Sequence, residues 1–460
     1  MTTPPFSRHL QHLFQRSTTI THLLQIHSII FKTALDNDPL VIATFISSSF
    51  SISIDYARSF FDRLSIPPPL FIWNSMIREY AKSPHPSESV ALFSDLRKVG
   101  HAPDNFTYPF VLKACARSSM LGEGGIVHCV VLKAGFRSDS YVRNTLLHMY
   151  ATCGAIEFAR RVFDEMPERD VVSWSAMIGG YITCNCPLEA FKVFQQMMAE
   201  NEKPNSITLV SLLSACTHLG SLRIGESIHS YAIVNALKLD VALGTALVEM
   251  YAKCGDIQKA HQIFISMSIK NLQSWTVMIS GLADHGRGKD ALTLFSCMEM
   301  SGLKPDGVSF SAILCACSHL GLVNEGRQYF DRMVSVYKIQ PTMEHYGCMV
   351  DLFGRAGLVE EAYGVIRCMP MEPNSVILRS FMCACRNHGW VLHVDESLMK
   401  LLLAIEPDLG SNYVLAANMS AVSGHWDNVA HLRRTMAQKG LKKVPGCSWV
   451  EVNGTMRSEG

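Results

Sequence analysis

The chain is 460 residues long, carries a formal net charge of +1, and is 48% hydrophobic. That length allows two or three globular domains or one long repeat array, and the near-zero charge excludes a nucleic-acid binder that works by bulk attraction alone. Any such binder would have to concentrate its positive charge locally. No run of about twenty apolar residues is free of charge or of Pro and Gly, so a membrane span is not expected.

The N-terminal stretch MTTPPFSRHLQHLFQRSTTITHLLQIHSIIFK contains no acidic residue, and Arg8, Arg16 and Lys32 stand among its Ser and Thr residues. This is the composition of an organellar transit segment rather than of a secretory signal, which needs a continuous apolar centre. The alternative is a helical segment that happens to lack acid. Residues 1–17 are assigned to targeting, with the mitochondrion expected and the chloroplast as the alternative.

Further along, the chain repeats itself. LFIWNSMIREY begins at Leu70, VVSWSAMIGGY at Val171 and LQSWTVMISGL at Leu272, which spaces Trp73, Trp174 and Trp275 at intervals of 101 residues. Cys115, Cys216 and Cys317 keep the same interval, as do His128 and His229, and Gly154 and Gly255. A period shared by Trp, Cys, His and Gly indicates tandem duplication.

Each period divides into helix pairs, 171–205, 206–240 and 241–271, of 35, 35 and 31 residues. In the first pair Trp174, Met177, Ile178 and Tyr181 recur at helical spacing and define one apolar face. Pro187 then sits where a first helical turn tolerates it, and Ala190, Val193, Phe194 and Met197 repeat the spacing. Pro204 closes the unit, because the residue before proline resists the helical region. Gly154 and Gly255 supply the left-handed residue that ends a first helix. One such hairpin cannot bury both faces, so neighbours must stack into an α-solenoid whose concave surface is lined by the first helices.

The pattern W-x-x-M-I-x-x-Y followed by A-x-x-x-F is close to the tetratricopeptide consensus, but Ile178 stands at its close-packing Gly and the unit lengths are not a steady 34. With these lengths the sequence resembles the plant pentatricopeptide repeat family, PLS subfamily, E subgroup, without a DYW deaminase domain. The resemblance lays out a degenerate L-like segment and a poor S unit over 18–69, with Ser53 near the expected Gly. A regular array follows over 70–374, with P, L and S units at 70–104, 105–139, 140–170, 171–205, 206–240, 241–271 and 272–306. Terminal L2 and S2 motifs occupy 307–342 and 343–374, an E1/E2 extension covers 375–441, and a short tail covers 442–460. The implied fold is all-α: an α-solenoid superhelix of stacked helix-turn-helix repeats, ending in tetratricopeptide-like hairpins.

What the resemblance implies for function is modular reading of single-stranded RNA, in which each repeat faces one base. The family's specificity positions are the fifth and last residues of a unit. Here they give the pairs Asn74/Asp104, Asn144/Asp170, Ser175/Asn205, Thr245/Asn271 and Thr276/Asp306. In the family's code Asn with Asp suggests U, Ser or Thr with Asn suggests A, and Thr with Asp suggests G. The L units carry Pro109 and Val210 at position five, which cannot read a base edge, so the implied element is U-x-U-A-x-A-G. Ala43/Pro69, Ser311/Thr342 and Gly347/Asn374 stay unassigned. Phe71, Tyr141, Val172 and Ile207, the second residues of their units, are expected to sandwich bases. The competing reading of the polar positions is helix capping, since Asn, Asp, Ser and Thr are the preferred N-caps.

Catalytic and metal chemistry find no support. The 15 cysteines form no C-x-x-C, and Cys115, Cys216 and Cys317 are one repeat position seen three times, which marks a packing residue. None of the 18 histidines begins the H-x-E that a zinc deaminase needs. The expectation is therefore an RNA-binding adaptor with no catalytic residue, metal or cofactor. Its implied partners are organellar single-stranded RNA and, through the E region, a deaminase-bearing pentatricopeptide protein and other factors for C-to-U editing. Organellar splicing, RNA stability or translation is the alternative role, and a tetratricopeptide-type protein scaffold the alternative class. Trp390 and Trp426 in the E region are expected to be core aromatics rather than binding hot spots.

Overall fold

The computed structural model describes residues 13–14, 18–35, 38–64, 68–390, 396–442, 448–452 and 455–459. Among these, 25 α-helices follow one another in pairs, and the chain forms two compact units, Met1–Ala215 and Cys216–Gly460. Within each unit the first helix of a pair packs on the first helices before and after it. The second helix packs on its own partner and on the next first helix. The fold is an all-helical repeat array, as the sequence leads one to expect. Of the expected targeting segment 1–17, all but residues 13 and 14 lies outside the described residues.

The local rules are visible in Val171–Thr183. Asp170 accepts from the Ser173 amide, and the Asp170 backbone N–H donates to the Ser173 hydroxyl, a capping box that starts the helix. Trp174, Met177 and Ile178 are buried, and Gly180 passes so close to the preceding first helix that a Cβ there would lie 2.8 Å from the Cβ of Ala151. Pro187 is the first residue of Pro187–Ala199, as its fixed φ favours. Gly154 and Gly255 close their helices with φ of +76° and +102°. Ser53 does not take that role: it is extended at φ −154° and caps Ile54–Asp62 instead.

The 101-residue landmarks are contacts between successive layers. Trp73, Trp174 and Trp275 meet Phe61, Phe163 and Phe264 of the preceding pair edge-on, at centroid distances of 4.8, 4.8 and 5.1 Å. His128 and His229 each hold the hydroxyl of a tyrosine 3.0 Å away, Tyr150 and Tyr251. The thiols of Cys153 and Cys254 lie 3.9 and 3.7 Å from the carbonyls of Cys115 and Cys216. Burial pushes the Cys115, Cys216 and Cys317 thiols up to about 12, so they remain protonated packing groups.

One expectation for the C-terminal region needs correction. Trp390 does pack in the core, near Tyr363 and Phe381, but Trp426 is 68% exposed. It is the first residue of Trp426–Gln438, the second helix of its hairpin, and helical side chains lean towards the N-terminus, so it points back past the start of that helix. The buried stripe of that helix is Val429, Leu432 and Met436. The short tail, whose structure the sequence reading leaves open, contains an antiparallel β-hairpin, Ser448–Val452 paired with Thr455–Glu459. The intervening Asn453-Gly454 dipeptide is the usual sequence signal for a two-residue hairpin connection.

Candidate nucleic-acid interface

At each expected reading position the structure assembles three side chains rather than two. The last residue of a unit caps the first helix of the next one. The oxygen Oδ1 of Asp170, Asn205, Asn271 and Asp306 accepts from the amide three residues on, at 2.8, 2.9, 2.9 and 2.9 Å. Asp104 accepts from the Phe106 and Thr107 amides at 3.1 and 2.8 Å. Capping, the competing reading of these residues, is therefore real for the last positions. The fifth positions are not caps: Ser175 and Thr245 lie within helices and donate to carbonyls four residues back, both at 2.7 Å.

The third group is a buried hydroxyl at the third residue of the following unit: Thr107, Ser173, Thr208, Ser274 or Ser309. It donates to Oδ1 of the last residue at 2.8, 2.6, 3.0, 2.8 and 2.8 Å, respectively. Four of the five also touch the fifth-position side chain directly. Thr107 reaches Asn74 at 2.6 Å, Thr208 reaches Ser175 at 2.7 Å, Ser274 reaches Thr245 at 2.8 Å and Ser309 reaches Thr276 at 2.7 Å. Asn74 and Asn144 in addition donate to Asp104 and Asp170 at 3.1 and 3.4 Å. Three of these junctions lie in the first compact unit and two, Thr245/Asn271 and Thr276/Asp306, in the second.

Sequence reasoning missed these hydroxyls, although they obey the same grid: Thr107, Thr208 and Ser309 are 101 residues apart, and so are Ser173 and Ser274. At Asp170 burial works against ionisation, but bonds from the Ser173 hydroxyl and amide and from Asn144 outweigh it and hold the carboxyl below its ordinary value.

Each pair keeps polar atoms to spare. Oδ2 of Asp104, Asp170 and Asp306 and Nδ2 of Asn205 and Asn271 have no partner among the described residues. The amide orientation of Asn205 and Asn271 follows from chemistry: a backbone N–H only donates, so the oxygen faces the helix and the NH₂ faces out.

Phe71, Tyr141, Val172 and Ile207 are the second residues of their units and lie 41–66% exposed, an unusual fate for large apolar side chains. Phe106, Val308 and Val376 occupy the same register and are also exposed. Lys113 stands beside Tyr141, with its ammonium 5.5 Å from the ring centroid and 3.3 Å from the hydroxyl. Pro109 is buried in its helix and Val210 is half-buried, so the L units offer no polar group at position five.

Stacked helix pairs that present a recurring polar pair beside exposed apolar side chains define a helical-repeat protein of the pentatricopeptide class. The chain belongs to the pentatricopeptide repeat family. The PPR repeat family matches residues 68–117, 169–218 and 270–319, the PPR repeat matches 141–171, 245–272, 308–336 and 344–372, and the E motif matches 393–451. A pentatricopeptide repeat-containing protein of Arabidopsis thaliana, described as chloroplastic/mitochondrial, is 38% identical over 97% of this chain and 73% of its own length. A second from the same plant, described as chloroplastic, is 43% identical over 79% of this chain and 49% of its own length. Maize PPR10 aligns with a TM-score of 0.49 and 16% identity, covering 96% of this chain and 74% of that one. A further PPR10 structure contains an 18-nt psaJ RNA element.

Proposed function

We propose that this chain is a sequence-specific, single-stranded RNA-binding adaptor that selects a site for C-to-U editing in an organelle. The element it reads is U-x-U-A-x-A-G, upstream of the target C, and the E region recruits a deaminase in trans. The observation that carries this reading is the set of polar atoms left over at the five junctions. Asp leaves an acceptor and Asn a donor. Asn74 keeps one N–H beyond its bond to Asp104, and so presents a donor at position five. The Ser175 proton is directed to Val171 or Thr208, so this residue presents lone pairs only.

These polarities fit the named bases. Asn with Asp offers a donor and an acceptor, matching a carbonyl and the N3–H of U. Ser or Thr with Asn offers an acceptor and a donor, matching the N6–H and N1 of A. Thr with Asp offers two acceptors, matching N1–H and N2–H of G. The exposed second residues supply stacking surfaces. The E region supports an adaptor role because its fifth position, Arg379, pairs internally with Glu406, which also takes a 2.7 Å bond from Ser375.

Gel-shift titration of a U-x-U-A-x-A-G RNA tests base reading. It should bind at least tenfold better than the same RNA with A and G exchanged; equal binding would sink the reading. Sequencing organellar transcripts from plants lacking the protein tests the role. Loss of one or a few C-to-U conversions downstream of such an element is the expected outcome, whereas unchanged conversion with altered splicing would assign the RNA binding to splicing.

A further inference from the structure

We propose that the third residue of the following unit is the positioning residue of the reading pair at four of the five junctions, Asn144/Asp170 being the one where the hydroxyl reaches only the last residue. By tying the fifth-position side chain to the inward oxygen of the last residue, its buried hydroxyl holds both readers in one orientation. The inference rests on the base-reading function argued above and adds a third residue to four of the five reading junctions.

Junctions with and without the hydroxyl differ in their fifth residue. Capping does not need the hydroxyl. At the L-unit junctions the amides of Val142 and Leu243 still donate to Asp139 and Asp240, at 2.9 and 2.8 Å, although the third residue is aliphatic. Ile377 likewise donates its amide to Asn374 at 3.0 Å, beside the non-reading Gly347. In the degenerate unit, Ala43/Pro69 is followed by Ile72. The hydroxyl thus occurs at the five junctions whose fifth residue is a proposed reader and is replaced by Val, Leu or Ile at these four whose fifth residue is apolar or glycine. A residue needed only to start a helix would not follow that division.

Within the regular array one further junction, Ser311/Thr342, has an imidazole in the third place. His345 bonds the Thr342 amide through Nδ1 at 2.9 Å and the Gly307 carbonyl through Nε2 at 2.8 Å. No hydroxyl ties this pair together, which places it outside the reading set.

The chemistry explains why the link matters. Oδ1 of the last residue only accepts, so the third hydroxyl donates to it and can accept from Ser175, Thr245 or Thr276 in turn. That chain points the fifth hydroxyl's proton inward and leaves lone pairs outward. Where the fifth residue is Asn74, the Thr107 hydroxyl has one proton for two acceptors, the Asn74 amide oxygen at 2.6 Å and Oδ1 of Asp104 at 2.8 Å; with the amide oxygen on that side, the NH₂ gives one N–H to Asp104 and keeps one to spare. One buried hydroxyl therefore serves both classes of reader. Removing it leaves Ser175 and Thr245 with only the carbonyl four residues back as an inward partner, which loosens the reading pair, so that the wrong base is rejected less strictly.

The test uses the full chain with Ser274→Ala, Thr208→Val and Thr208→Ser, and single-stranded RNAs carrying U-x-U-A-x-A-G with one base changed at a time. Helical content by circular dichroism confirms folding. Ser274→Ala and Thr208→Val should lower the A-over-G and A-over-U preference about fivefold to tenfold, only at the base facing the altered junction. Thr208→Ser should retain it. An unchanged preference, or an equal loss of discrimination at every base, would overturn the positioning role, the latter because it signals a structural effect. Failure of the reading itself is seen separately: Thr245→Asn with Asn271→Asp should move the preference at that base from A to U. If that exchange shifts the preference while Ser274→Ala does not, only the positioning inference falls.

Discussion

At the scale of single residues, exposure and polarity divide the labour within each unit. The first helix buries its Trp, Met and Ile face, while its second residue is left uncovered. Tyr141 shows what that achieves. It offers an aromatic plane with Lys113 alongside, so a base can stack while a phosphate finds a cation. Replacing Tyr141 by Ala should weaken RNA binding by about 1–3 kcal/mol, the usual loss for one stacked base, with little change in fold. Fluorescence anisotropy against the seven-nucleotide element checks this. An unchanged Kd would remove Tyr141 from the interface. Asp170→Asn tests polarity rather than area: it exchanges an outward acceptor for a donor and should move the preference there from U towards C, which an RNA pair differing at that one base measures.

At the scale of elements, close helix approach and helix propensity compete, and Gly180 and Gly125 separate them. A Cβ at Gly180 would lie 2.8 Å from the Cβ of Ala151 and 3.3 Å from Ile156, and the Ala151 Cβ cannot rotate away. Gly180→Ala gains roughly 0.5–1 kcal/mol of helix propensity but must push neighbouring first helices away from each other, at about 1–3 kcal/mol for an overpacked core. The net expectation is destabilisation. Gly125 has nothing within 4 Å of its added Cβ, so Gly125→Ala should stabilise by about 0.5–1 kcal/mol. Urea denaturation of the two variants checks the opposite signs. This competition also explains what could be read in advance. Trp, Cys, His and Gly on a fixed grid are rare residues, so their recurrence exposes the repeat and its helix pairs. The hydroxyls of Thr107, Ser173, Thr208, Ser274 and Ser309 recur just as regularly, but Ser and Thr in a first helical turn look like ordinary capping residues. Only the layer packed against them reveals that they contact the preceding unit. Trp426 misled in the opposite way, because its spacing fits a buried stripe while its place at the helix start turns it outward.

At the scale of the whole chain, stability in a repeat array is close to a sum over units and their interfaces, so a small effect repeated along it becomes large. Histidine protonation is such an effect. Burial lowers the values of His27, His128, His148 and His229 below the ordinary 6.5; nearby Arg63 adds to it for His27, Lys113 for His148 and Lys259 for His229. At His128 Glu165 pulls the other way without reversing the direction. A histidine held neutral in the folded chain takes up fewer protons than the unfolded one as the pH falls, so acid favours unfolding. The stabilising contribution is complete above pH 6.5 and is lost as the pH drops through that value towards the lowered folded ones. Asp170 acts in the same direction but in a separate window, its contribution being lost only as the pH falls below about 3.8. Urea midpoints should therefore decline between pH 7.5 and pH 5.5, above the window in which Asp170 contributes. His128→Asn with His229→Asn should be less stable at pH 7.5, because the bonds to Tyr150 and Tyr251 are lost, yet should show a flatter decline. A midpoint that stays constant across this range, or an equally steep decline in the double variant, would show that these histidines do not set the acid limit of the array.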